Sequence, residues 1–543
     1  MDNHGSSAPQ GDPPTRIGTV ADVAGASSSI HLDAAAIARL KEHDDPAIAR
    51  AGQVGAQVKM RVGKDWVVAN LRALHADAAD RLVAEIDFVG EGQGGEGETL
   101  ERFQQGVTLY PMPGDAVHAV STGDMRAIYA PDTRTHVSVG TVYPTSEIRG
   151  TLTVDPMLGK HFAILGSTGT GKSTATAMIL HRISDLAPKG HIVMIDPHGE
   201  YGAAFGSNAA LFNVDNLQLP YWLMNLIEHG EVLLTSEGSE RMRDLDILAK
   251  CVLEARVRNA RAKGQNTQRI TADSPVPYLL SDFHQILMDE MGRLDRPGDA
   301  APYKRIIKKL DELRLNPRYQ FMFAGMMVED NMNEVLRTLF RLPAEGKPLS
   351  IIDVSGVPSD VVHTVVSMLG RLALDYAVWS RAEDQHPLLF ICEEAHRYIP
   401  KDEHQNEGQA VRRVLERIAK EGRKYGVSLG LVTQRPSDLA EGVLSQCGTI
   451  ISMRLNNHRD QAVVAAAIPE GAKGFVDAIP ALRNREAVMS GEGVAIPVRV
   501  RFDTLEEDKR PSSEDPEFAK LWQREGGEVE MIDRTIARWR DAS

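Results

Sequence analysis

Eight consecutive residues, Gly166-Ser167-Thr168-Gly169-Thr170-Gly171-Lys172-Ser173, have the spacing G-x-x-x-x-G-K-S/T, which suits phosphate. Glycines let the backbone curl closely around a phosphate group. Successive N–H groups and a helix N-terminus near Thr174 add fixed partial positive charge. Lys172 contributes a full charge for the β- and γ-oxygens, and the Ser173 hydroxyl can ligate Mg2+. The implied chemistry is binding and cleavage of ATP with Mg2+. Its natural complement is an acidic pair, and Glu393-Glu394 follows the apolar run Leu388–Cys392. Two carboxylates at a strand end serve phosphoryl transfer by dividing the work. Glu393 is assigned to the metal side and Glu394 to polarising a water.

These groups need a scaffold of strands and helices. His161–Leu165 reads as a strand entering the Gly-rich turn, with a helix after it and a further strand over His191–Ile195. Strand patterns return at Leu349–Val354, Leu388–Cys392, Val427–Thr433 and Thr449–Leu455, and Val494–Phe502 closes the series. Between Asn213 and Glu345 the spacing is mainly helical, as in Leu245, Leu248, Val252 and Leu253, and again in Ile306, Ile307, Leu310 and Leu313. This predicts an α/β, RecA-like P-loop ATPase domain over 146–503 with a helical insertion at about 213–345. Upstream, short alternating segments over 16–145 predict a small β-barrel, with the Gly-rich acidic stretch Gly90–Glu98 as a mobile loop. Residues 1–15 read as a disordered tail and 504–543 as a charged tail. In the latter, Val529, Ile532, Ile536 and Trp539 line one face of a helix.

The chain has 543 residues, more than one hydrophobic core usually serves. Cys251, Cys392 and Cys447 lie far apart, which excludes a zinc knuckle or a disulfide framework and fits a reducing cytoplasm. Met1–Thr15 lacks a basic and an apolar segment in the order of a secretory signal. The strong apolar runs are strand-sized, well short of the ~18 to 20 residues that span a bilayer, so no membrane role is expected. The formal charge of -14 alone argues against a polyanionic partner. Locally the balance reverses. Val411–Gly426 holds Arg412, Arg413, Arg417, Lys420, Arg423 and Lys424 against Glu416 and Glu421. That is either a phosphate-tracking surface, with the polar loop Lys401–Gln409 beside it, or a solvated, salt-bridged helix.

Taken together, the P-loop, Asp196-Pro197-His198-Gly199-Glu200-Tyr201, Glu393-Glu394-Ala395-His396, and Glu421–Gly426 running into Thr433-Gln434-Arg435-Pro436 resemble the HerA branch of the HerA/FtsK ATPases. The barrel is similar to the HAS-barrel, most closely in Tyr110–Asp115. The resemblance implies a homo-hexameric ring that hydrolyses ATP between subunits, with a neighbour's arginine at the γ-phosphate; Arg423 is the matching residue. Gln434 fits a γ-phosphate sensor. Asp196 either holds a Mg2+-bound or attacking water or closes an Asx turn into Pro197 and Gly199. The implied activity is an ATP-driven double-stranded DNA translocase or helicase. No second catalytic constellation stands out, so a separate effector is implied: a NurA-type nuclease, another nuclease-like protein or a sirtuin-like protein, in DNA end processing or anti-phage defence. Two other readings share the motor core: a nucleotide-controlled scaffold that activates a partner enzyme, and a peripheral coupling ATPase of a secretion or conjugation machine.

Overall fold

The computed structural model describes residues 15–25, 27–95, 99–130, 134–294, 297–323, 328–401, 408–468, 473–512, 518–523 and 529–542. The expected N-terminal tail lies outside them except for Thr15, as do residues 402–407 of the Lys401–Gln409 loop.

Seven strands form the first sheet: β1 (Arg16–Ala24), β2 (Ser27–Leu32), β3 (Gln57–Val62), β4 (Asp65–Ala76), β5 (Leu82–Gly94), β6 (Leu100–Gln105) and β7 (Ala116–Ala119). Their order is β2-β1-β7-β3-β4-β5-β6, and an extra β2–β5 pairing closes six of them into a barrel with β6 outside. Alternate residues such as Ile17, Ile30, Val58, Met60, Leu71, Ile86 and Val117 point inward and fill it. The expectation of a mobile loop at Gly90–Glu98 is corrected here. Gly90–Gly94 is the end of β5, paired with both β4 and β6. The glycines are what this pairing needs, since a Cβ on Gly90 would lie 2.3 Å from the Gln104 carbonyl oxygen. Residues 96–98 fall outside the described residues.

The second sheet has eleven strands: β8 (His136–Val142), β9 (Arg149–Thr153), β10 (Phe162–Leu165), β11 (Ile192–Asp196), β12 (Ala209–Phe212), β13 (Leu349–Asp353), β14 (Leu388–Cys392), β15 (Val427–Thr433), β16 (Thr449–Ser452), β17 (Glu486–Gly491) and β18 (Val498–Phe502). Seven run parallel in the order β12-β13-β11-β14-β15-β10-β16. The antiparallel strands β17-β18-β8-β9 extend the β16 edge. Because β8 belongs to this sheet, the chain changes sheets before His136, upstream of the expected division near Thr145. The reason is non-local: β8 is held by β18, more than 350 residues away in sequence.

The insertion is helical as expected, with helices at Leu226–Leu233, Gly238–Ala262, Leu280–Gly292, Ala301–Leu315 and Met332–Leu339 among others. Leu248, Val252, Phe283, Ile306 and Leu310 join it to the core on one face of the parallel sheet. The Ser359–Trp379 helix is long and apolar enough to cross a membrane, but its most apolar window is 78% buried inside the protein. It is a core helix. The C-terminal helix Val529–Ala542 forms, and Ile532 and Trp539 on its apolar face are exposed.

Candidate nucleotide site

Parallel strands deliver their C-terminal ends to one edge, and the order β11-β14-β15-β10 sets the candidate residues side by side along it. Asp196 ends β11, Glu393-Glu394 follows β14, Gln434 follows β15, and Gly166 follows β10. The P-loop then turns into the Lys172–Leu186 helix, with Gly171 at its N-cap. Gly169 (φ +76°) and Gly171 (φ +95°) occupy the left-handed region, which an L side chain adopts only under strain. The loop is braced from outside: the Ser167 N–H donates to the Arg454 carbonyl, the Asn456 N–H to Ser167 Oγ, and the Arg485 N–H to the Thr170 carbonyl. Thr170 Oγ1 donates back to the Ser167 carbonyl at 2.7 Å. Thr174 lies in the first helical turn.

Lys172 Nζ donates to Glu393 Oε1 at 3.0 Å and lies 3.6 Å from Glu394 Oε1, all three side chains being buried. Burial disfavours the ammonium charge, but the two carboxylates outweigh it and hold the Lys172 pKa above its ordinary value. Burial pushes the Glu393 carboxyl upward, and Lys172 opposes that shift. The Tyr201 hydroxyl donates to Glu393 Oε2 at 3.0 Å. Ser173 directly follows Lys172, which bonds Glu393, and the hydroxyl and carboxylate are oxygen donors of the kind suited to Mg2+. Glu394 sits at φ +51°, and its buried Oε2 accepts no hydrogen bond. His396 Nδ1 is 3.3 Å from that oxygen but bonds Thr433 Oγ1 at 2.9 Å. A buried carboxylate oxygen without a hydrogen bond, beside the P-loop lysine, is equipped to take a proton from water.

Thr168 Oγ1 donates to Gln434 Oε1 at 2.5 Å, so the P-loop and the end of β15 are in direct contact. Asp196 is fully buried, and its oxygens are occupied locally. Oδ1 accepts from the N–H groups of His198 and Gly199, and Oδ2 from that of Tyr201. Of the two readings of Asp196, this is the geometry of the turn: it fixes the loop that presents Tyr201. Tyr201 was legible only as part of its motif, and no sequence signal marks the bracing by Arg454 and Arg485.

Arg423 stands apart from this cluster. The Gln409–Arg417 helix passes through a π-helical turn, Ile418–Gly422, into Arg423–Tyr425, and Gly426 then leads into β15. Arg423 thus lies at the N-terminal edge of the sheet. The seven residues of β15, at about 3.3 Å each, separate it from Gln434 by roughly 20 Å. It is exposed, on the rim of an apolar cavity of about 700 Å3 lined by Leu158, Ile183, Pro188, Pro387 and Val427. Its basic neighbours are partly neutralised: Arg412 and Lys420 pair with Glu416, and Arg417 with Glu421 and Asp375. That is the salt-bridged helix among the alternatives for this segment.

Residues 137–373 match the family described as Helicase HerA, central domain. The chain is 26% identical over 498 residues to the DNA double-strand break repair helicase HerA of Pyrococcus furiosus, covering 82% of this chain and 84% of that protein. The protein of the same description from Sulfolobus acidocaldarius is 24% identical over 443 residues, or 79% of this chain and 81% of that one. Among solved structures, VirB4 of Thermoanaerobacter pseudethanolicus aligns with a TM-score of 0.49 at 15% identity, over 70% of this chain and 99% of that one. With its own P-loop and N-terminal barrel set beside the family and helicase matches, the chain is similar to the HerA helicases over most of its length, and it is an ATPase of the helicase type.

Proposed function

We propose that the chain is an ATP-driven translocase of double-stranded DNA, acting in the cytoplasm as a homo-oligomeric ring whose ATP sites lie between subunits. One observation carries the inter-subunit reading: Arg423 and the P-loop lie at opposite edges of the same sheet, so Arg423 is out of reach of its own subunit's nucleotide. A neighbour in a ring, a hexamer by family resemblance, brings the two edges together. The DNA reading is supported by the relatives' description as double-strand break repair helicases.

In this reading the P-loop N–H groups and Lys172 hold the phosphates, and Lys172 leaves Glu393 and Glu394 to do so. Ser173 and Glu393 would hold Mg2+, which when bound supplies Lewis-acid stabilisation of phosphate charge. Glu394 accepts the proton of the attacking water through its unpaired Oε2. Gln434, already touching Thr168, reports the γ-phosphate to the end of β15. Asp196 keeps Tyr201 against Glu393. Arg423 of the neighbour stabilises charge as the bond to the γ-phosphoryl group breaks.

The effector step is assigned to a separate protein, a nuclease-like one where DNA is cut or a sirtuin-like one otherwise. The defining test is ATP hydrolysis with and without double-stranded DNA, alone and with a candidate nuclease-like partner. Stimulation by DNA is expected, and a rate indifferent to DNA of every form sinks the translocase reading. A Glu394→Gln ring that still fully activates the partner would replace it with the scaffold reading.

A further inference from the structure

We propose that His161 is a positioning residue that registers the Arg423 turn to the strand carrying the subunit's own P-loop. This rests on the reading of Arg423 as the arginine supplied to a neighbouring ATP site.

His161 immediately precedes β10, whose four residues, Phe162–Leu165, lead into Gly166, the first residue of the P-loop. It is 3% exposed and has φ +58°, a left-handed backbone that costs a non-glycine residue energy and persists only where its surroundings impose it. Both ring nitrogens are engaged. The Leu429 N–H on β15 donates to Nδ1 at 2.9 Å, so Nδ1 presents a lone pair and the ring proton resides on Nε2. Nε2 donates it to the Ala419 carbonyl at 3.1 Å. Burial lowers the imidazole pKa and Arg423 adds to that effect, while the Ala419 bond opposes it, so the ring is neutral as this pattern requires.

Ala419 belongs to the π-helical turn Ile418–Gly422, directly ahead of Arg423. Such turns carry an irregular hydrogen-bond ladder and recur at functional sites. The turn passes closely over the sheet, since a Cβ on Gly422 would lie 2.7 Å from the Val427 carbonyl oxygen. One imidazole therefore clamps the turn that aims Arg423 to β15 and to the residue that begins the P-loop strand. The attachment to Ala419 sets where Arg423 points, and it contributes nothing to the neighbour's site by direct contact.

Two substitutions separate this role from general support of the fold. Asn in place of His161 keeps an acceptor where Nδ1 was and tolerates positive φ, but it is too short to reach Ala419. Gln carries a donor far enough out to reach Ala419 and lacks the acceptor for Leu429. The expected result for His161→Asn is a kcat at least about 10-fold lower, with ATP affinity and ring assembly unchanged, because a small misplacement of a charge-stabilising group is costly. His161→Gln should stay within about twofold of the parent, since the retained bond is the one that orients the turn. Wild-type kcat in His161→Asn, equal kcat losses in both variants, or loss of ATP binding or assembly in either overturns the assignment. Rings mixed from wild-type and Arg423→Ala subunits separate the two readings. If Arg423→Ala subunits fail to poison their neighbours, the inter-subunit reading falls. If they do poison them and His161→Asn is fully active, only the clamp falls.

Discussion

The two edges of the parallel sheet differ in nearly every physical respect. At the C-terminal edge, Lys172, Asp196, Glu393 and Glu394 are all buried and linked, Lys172 to both glutamates and Asp196 to Glu393 through Tyr201. The N-terminal edge has an apolar cavity with the exposed Arg423 on its rim. Of the arginines near the first edge, Arg454 bonds Asn484, Arg485 bonds Thr504 and Arg435 pairs with Asp438, while Arg397, just after the acid pair, is exposed. One edge thus gathers the P-loop lysine with its buried acids, and the other presents an exposed arginine beside an apolar cavity. Under the proposed ring, these two edges are half-sites facing opposite ways, each completed by a neighbour.

The strongest attempt to break that division is Arg423→Ala. Loss of the arginine should lower hydrolysis by about 10³-fold with ATP affinity unchanged, measured by steady-state turnover and nucleotide titration. A matching loss of affinity would return Arg423 to its own subunit's site or to an interface strut. Lys172→Ala attacks the other edge, where binding and hydrolysis should fall together by about 10²-fold or more. Retained activity would overturn the P-loop assignment. Glu394→Gln keeps the shape of the pocket and removes the proton acceptor. It should bind ATP normally and hydrolyse it about 10²-fold more slowly, as single-turnover measurements would register.

The smallest effect concerns stability at the anchor of the Arg423 edge. Glu231 accepts from the Ala410 N–H at the start of the helix leading to Arg423, and its Oε2 is buried without a hydrogen bond. Burial raises its pKa from 4.5 to about 7; Glu228 adds to the rise, and Ala410, Arg241 and Arg413 oppose it. Between pH 4.5 and 7 the folded state therefore holds a proton that the unfolded chain has released, so this group makes stability fall as pH rises through that window. Glu231→Gln removes the penalty. Denaturant melts should show the variant more stable than the parent at pH 8, by about 1 to 3 kcal/mol, with the gain vanishing near pH 4. An unchanged difference across that range would mean that Glu231 does not titrate in the fold.

Much of the nucleotide edge was readable because its parts are contiguous in the chain. The run from Gly166 to Ser173 carries its own turn chemistry, and Glu393-Glu394 directly follows an apolar strand. The helical insertion was legible from periodicity alone. The Gly90–Gly94 stretch misled because glycine is equally the residue of a mobile loop and of a strand crowded by β6, and only the pairing partner distinguishes them. Asp196 was ambiguous for a similar reason, since an acid at a strand end serves water or backbone depending on where the following N–H groups point.

From the residues alone came the phosphate chemistry, the acid pair, the barrel-then-motor order and the family resemblance, since each is written in short spacings that local backbone geometry enforces. The tertiary structure decided the rest. It closed the barrel through β2–β5, gave β8 to the motor sheet, joined Tyr201 to Glu393 and His161 to Ala419, and set Arg423 a full sheet-width from its own P-loop. Those relations depend on pairings between residues tens to hundreds of positions apart. Strand order in a sheet is settled by which surfaces bury one another, and no local spacing records it.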